Sequence, residues 1–135
     1  MIFFYTRLYD YFSTNNILSS LQFGFRSGAS TEHALLKFTD DIVKCFDDNK
    51  VGIATFMDLS KAFYCVDHKI LLPKIKRYGI HSTPLQWIRS YLFNREHFVS
   101  WNQIQPTSLN LNIGVPQGSV LGPLMFLIYI NDIVN

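Results

Sequence analysis

The 135-residue sequence predicts an α+β chain, a small antiparallel sheet packed on helices. Three observations predict it. Apolar residues recur at spacings of three and four in several stretches, the mark of helices with one buried face. Between them, short runs alternate with a period of two, the mark of half-buried strands. Breaks rich in Gly, Pro, Asn and Ser separate the two kinds of stretch.

Residues 2–18 read as a helix through Phe4, Leu8, Tyr11 and Phe12, broken by Ser13-Thr14-Asn15-Asn16. Gln22 to Ala29 is a Gly-rich loop. Ser30 or Thr31 then offers an N-cap, with Glu32 in the first turn. The stripe Leu35, Phe38, Ile42, Cys45 and Phe46 predicts a helix ending near Asp48-Asn49. Val51, Ile53, Thr55 and Met57 fall on one parity, and Gly52, Ala54, Phe56 and Asp58 on the other, so 51–58 reads as a strand.

Lys69 to Tyr78 reads as a helix interrupted or kinked by Pro73 and stopped by Gly79. Thr83 and Pro84 open another, with the stripe Trp87, Ile88, Tyr91 and Leu92, ending at Asn94-Arg95. Phe98–Ile104 and Ser108–Ile113 read as two strands around a turn at Pro106. Pro123–Ile130 is apolar on nearly all sides and reads as a buried helix.

The length allows at most one domain, large enough to bury a core. A net charge of +2 is too mild to imply nucleic acid from the total. Its distribution says more: Lys69, Lys74, Lys76, Arg77, Arg89 and Arg95 follow His68 with no Asp or Glu among them. Such a face meets phosphates or is simply solvated, and charge alone does not choose. Cys45 and Cys65 show no metal-ligand spacing and make no disulfide framework. No apolar stretch approaches a membrane span, and no signal peptide with a small-residue cleavage site precedes Arg7 and Asp10. These features predict a reduced, intracellular chain in cytoplasm or nucleus, neither secreted nor membrane-bound.

The chemistry concentrates at Phe56-Met57-Asp58-Leu59-Ser60-Lys61-Ala62-Phe63. An Asp at a strand end suits a hard, oxygen-loving cation such as Mg²⁺. An Asp capping the following turn is the commoner role, and Asp58 alone fits either. This segment, the following Val66-Asp67-His68 and the later Gly114-Val115-Pro116-Gln117-Gly118-Ser119-Val120-Leu121-Gly122-Pro123 resemble the reverse transcriptase domain of non-LTR, jockey-like LINE retrotransposons. Gln22-Phe23-Gly24-Phe25-Arg26-Ser27-Gly28-Ala29-Ser30-Thr31 is a third matching piece, and the three lie in the family's order.

The resemblance implies a partial fingers–palm unit over residues 1–135, without the family's upstream fingers motifs, its [YF]ADD motif or its thumb. It implies RNA-templated DNA synthesis, in which two metal ions roughly 3.5–4 Å apart assist nucleotidyl transfer. Mg²⁺ is the implied ion, with Mn²⁺ as an alternative. RNA template, DNA primer and deoxynucleotides are the implied partners. By position, Asp58 is the first metal-ligating carboxylate and the carbonyl of Leu59 completes its grip. The N–H groups of Lys61 and Ala62 lie near the triphosphate, where oriented amides hold an anion. Phe63 takes the place of the ring that excludes a 2′-hydroxyl, although a large apolar residue also fits plain core. Gln117 and Gly118 match the loop that packs on nucleotide and template base. Arg26 resembles a fingers residue reaching the phosphates, with a structural pairing equally open.

Three features set limits. The family reads Asp after Lys-Ala-Phe, and this chain has Tyr64 there. Phe38-Thr39-Asp40-Asp41 mimics the second metal motif, but it precedes Asp58 and its carboxylates fall on the polar side of a helix. Asp67-His68 reads as structural, with Asp67 capping the next helix, in preference to an acid–base pair. With one family carboxylate, the isolated chain is expected to polymerise poorly. A retained nucleic-acid-binding module using the basic residues, or a protein-interaction module, is the alternative.

Overall fold

The computed structural model describes residues 1–93, 95–97 and 109–133. Five α-helices carry the fold: α1 (Ile2–Thr14), α2 (Thr31–Asp47), α3 (His68–Arg77), α4 (Ser82–Leu92) and α5 (Gly122–Ile130). A short 3₁₀ turn, Ala62–Cys65, precedes α3.

Among the described residues no sheet packed on helices is present. Among the described residues the strands are β1 (Arg95–His97) and β2 (Leu109–Leu111), an antiparallel ribbon with Arg95 opposite Leu111. Three residues a side make a hairpin arm, not a layer, so the described chain is helical and the α+β expectation is corrected. The alternating segment 51–58 forms no strand and pairs with none of the described residues. Val51 and Ile53 remain 92% and 91% exposed. Alternation marks a segment able to pair, but a strand forms only beside a partner, and the described residues supply none. The strand expected at 98–104 lies outside the described residues.

The helices are where periodicity places them. Leu8 and Phe12 of α1 are buried at one-turn spacing. They meet Leu71 and Ile75 of α3, Ile88 and Leu92 of α4, and Leu124, Met125, Leu127 and Ile128 of α5 in a single core. Apolar all round, α5 sits in the middle of that core, with Pro123 in its first turn, where a missing N–H costs nothing. Pro73, by contrast, falls inside α3, beyond its first turn, without ending it. Fully burying each such side chain contributes about 1.5–3 kcal/mol.

Two caps are as the sequence predicts. Ser30 accepts from the His33 N–H at the start of α2, and Asp67 accepts from the Lys69 N–H at 2.7 Å at the start of α3. Gly79 ends α3 at φ +91°, a conformation that favours glycine. A Cβ at that position would run into the Tyr11 hydroxyl. That hydroxyl donates to the Tyr78 carbonyl at 3.0 Å, joining α1 to the end of α3.

Asn131, just after α5, closes the other end. Its side chain accepts from the Ser19 N–H at 2.8 Å and donates to the Ile17 carbonyl at 2.7 Å. By contrast, α2 has no buried residue. It leans on segment 51–58 through Phe38 and Phe56, whose rings are 5.4 Å apart.

Candidate active site

The 3₁₀ turn and the loop 113–118 are laced together by backbone. The Gly114 N–H donates to the Val66 carbonyl and the Val115 N–H to the Phe63 carbonyl, both at 2.8 Å. An isolated bridge pairs Asp67 with Ile113. Gly114 lies at φ +85° with the Tyr64 backbone against its Cα, so the approach leaves little room for a side chain. The two most distinctive sequence motifs therefore meet, although more than a third of the chain separates them.

Side chains complete the junction. The Tyr64 hydroxyl donates to Gln117 Oε1 at 3.1 Å. Ser119 Oγ donates to the Pro116 carbonyl at 2.7 Å and accepts from the Tyr91 hydroxyl at 2.6 Å and the Gly122 N–H at 3.1 Å. That one hydroxyl thus fixes the loop to α4 and to the start of α5. Beside it opens a cavity of about 310 Å³, whose lining includes Tyr64, Leu92, Arg95, Pro116 and Gln117.

Phe63 is half-buried, its ring 5.7 Å from Phe25 and 5.0 Å from Phe126. It joins the Gly-rich loop to α5 while staying open on one side. Lys61 enters the turn in the left-handed region at φ 55°. The N–H groups of Lys61 and Ala62 take no backbone partner among the described residues. Gly118, at φ +74°, has open space where a Cβ would stand.

Asp58 lies at the end of segment 51–58 and is exposed. It forms no ion pair among the described residues. Among those residues no group of three or more His, Cys, Asp or Glu side chains is placed to hold a metal. One free carboxylate with the adjacent Leu59 carbonyl is a fraction of a cation seat, so the described residues do not fit a complete one.

Of the remaining predicted residues, Arg95 alone reaches this junction, where it lines the cavity. Arg26 donates from Nη1 to the Ser19 carbonyl at 2.5 Å, on the side of the molecule closed by Asn131. Lys74 is half-buried, donating to the Tyr129 carbonyl at 2.5 Å and pairing with Asp132. That pairing holds the Asp132 carboxyl below the usual carboxylate range. The Arg89 guanidinium lies over the Phe93 ring, 5.5 Å from its centre. Lys69, Lys76 and Arg77 stay exposed on α3, and Arg95 lines the cavity. Ser119, Tyr91 and His68, which build the junction, carry no motif signal that marks them as a set.

Residues 3–135 match the family described as reverse transcriptase (RNA-dependent DNA polymerase). The chain belongs to the reverse transcriptase family. It is 35% identical over 133 residues to a probable RNA-directed DNA polymerase from transposon BS of Drosophila melanogaster, covering 94% of this chain and 14% of the relative. The probable polymerase from transposon X-element of the same fly is 33% identical over 126 residues, covering 93% and 14%. The polymerase from its mobile element jockey is 30% identical over 115 residues, covering 85% and 12%. The chain thus spans about one seventh of the curated relatives it matches. As a family, reverse transcriptases use divalent metal and act on nucleic-acid template and nucleotides. No helix among the described residues is long and apolar enough to cross a membrane.

Proposed function

We propose that this reverse transcriptase chain supplies the nucleotide-binding part of an RNA-directed DNA polymerase of the non-LTR retrotransposon type. The observation that carries the reading is the junction of the 62–65 turn with the 114–118 loop, in a chain whose match to the family runs almost end to end.

In this reading Asp58 would contribute one carboxylate, and the Leu59 carbonyl one oxygen, toward Mg²⁺, which would supply charge neutralisation at the phosphates; the described residues alone do not complete its seat. The free amides of Lys61 and Ala62 receive phosphate oxygens without adding a mobile charge. Phe63, backed by Phe126, presents the open side of its ring to the sugar. Gln117 and Gly118 border the base, with Gly118 allowing close backbone approach. RNA template, DNA primer and deoxynucleotides are the partners. Exposed Lys69, Lys76 and Arg77 are available to a nucleic-acid backbone, whereas Lys74 and Arg26 serve the fold first.

A chimera tests this. Residues 3–135 replace the matching segment of the jockey polymerase, and RNA-templated primer extension is measured with Mg²⁺ and deoxynucleotides. Extension is the expected result. A folded chimera that binds template but adds no nucleotide would refute the assignment.

A further inference from the structure

We infer that His68 is a positioning residue: its buried ring holds the Gly114 peptide, and through it the loop carrying Gln117, against the turn that carries Phe63.

His68 is the one charged-class or polar side chain buried among the described residues, at 1% exposure. Its Nε2 lies 2.7 Å from the Gly114 carbonyl. A carbonyl only accepts, so Nε2 carries the proton. Nδ1 meets no partner among the described residues. The whole polar capacity that this buried ring realises is spent on one loop carbonyl. The Phe93 ring, 5.3 Å away, packs against the imidazole and limits its rotation.

The choice of carbonyl matters. Gly114 sits at φ +85°, and a glycine visits both signs of φ with similar ease. Its peptide needs an external restraint to keep one orientation. On its amide side that restraint is Val66. On its carbonyl side it is His68. The ring stands in the first position of α3, so the loop is referenced to a helix whose Leu71 and Ile75 are fully buried. Three residues further on, Gln117 receives the Tyr64 hydroxyl.

The functional meaning rests on the nucleotide-site reading above. The test does not use activity, so failure of nucleotide addition would remove that reading and leave this one standing.

In the full 135-residue chain at neutral pH, ¹⁵N spectra of the His68 ring are expected to show the Nε2–H tautomer. The Nδ1–H tautomer would overturn the inference. Amide hydrogen exchange then separates loop positioning from general stability. His68→Phe fills the ring's volume without the donor. Gly114 and Val115 amides are expected to exchange about tenfold faster there, with Leu71 and Ile75 unchanged. His68→Gln keeps a donor at similar reach and is expected to restore slow exchange. Equal acceleration at all four amides, or no rescue by glutamine, would reduce His68 to a core filler. If His68→Phe does not fold, the tautomer and the glutamine variant decide.

Discussion

The Tyr64 hydroxyl donates to Gln117 Oε1 at 3.1 Å, tying the only departure from the Lys-Ala-Phe-Asp pattern to the loop it faces. The bond uses the oxygen of the Gln117 amide and leaves its NH₂ free to donate. Tyr64→Phe removes the bond. Because both groups are exposed, stability is expected to fall by no more than about 0.5–1 kcal/mol. The side-chain amide of Gln117 is expected to become more mobile in ¹⁵N relaxation while its backbone does not. An unchanged side-chain amide would show that the bond is not formed in solution.

Ser119 is the hub of the loop, bonded at once to Pro116, Tyr91 and Gly122. Ser119→Ala leaves a part-buried tyrosine hydroxyl without its acceptor. A loss of about 1–3 kcal/mol is expected in chemical denaturation. Combining it with Tyr91→Phe should cost less than the two separate losses added together, since both remove the same bond. Simple additivity would contradict the geometry.

Gly79→Ala forces a Cβ into the left-handed region and against the Tyr11 hydroxyl. The conformational part alone costs about 1–2 kcal/mol. Thermal unfolding should fall by several degrees, and Tyr11→Phe should recover part of the loss by making room. A Tm at or above that of the unsubstituted chain would mean that Gly79 does not end α3 as described.

The pairing of Lys74 with Asp132 carries a pH dependence. The Asp132 carboxyl is held below its ordinary value, chiefly by the hydrogen bond from Lys74. A depressed folded pKa means that the contribution is present above the unfolded value of about 4 and is lost as pH falls through the folded one. Asp132 is largely exposed, so the effect is expected to stay within about 0–1 kcal/mol. Asp132→Asn should flatten this part of the acid limb and leave stability above pH 6 only slightly lower. An unchanged acid limb would show that the pair does not persist in water.

What the sequence made legible was local. The spacing of Leu8 and Phe12, the Ser30 and Asp67 caps and the Gly79 stop each depend on neighbours within one or two turns. The apolar run 124–130 needs no partner to declare itself buried. The segment 51–58 shows the opposite case. Its alternation is real, but pairing is a non-local event and both its faces remain exposed. Site residues divide in the same way. The two motifs announced themselves by their length, whereas the His68–Gly114 bond spans 46 residues and leaves no periodic trace. Arg26 and Lys74 carry charges that suggested phosphate, yet each is drawn to a carbonyl of the fold.

The central claim is that the carboxylate of Asp58 serves nucleotide addition beside the turn and loop. Asp58→Asn, in the chimera with the jockey segment replaced by residues 3–135, keeps the size of the side chain and removes its charge. The claim predicts a fall in primer extension of about a thousandfold or more, with template binding unchanged. Extension by the Asn variant at the rate of the unsubstituted chimera would contradict it.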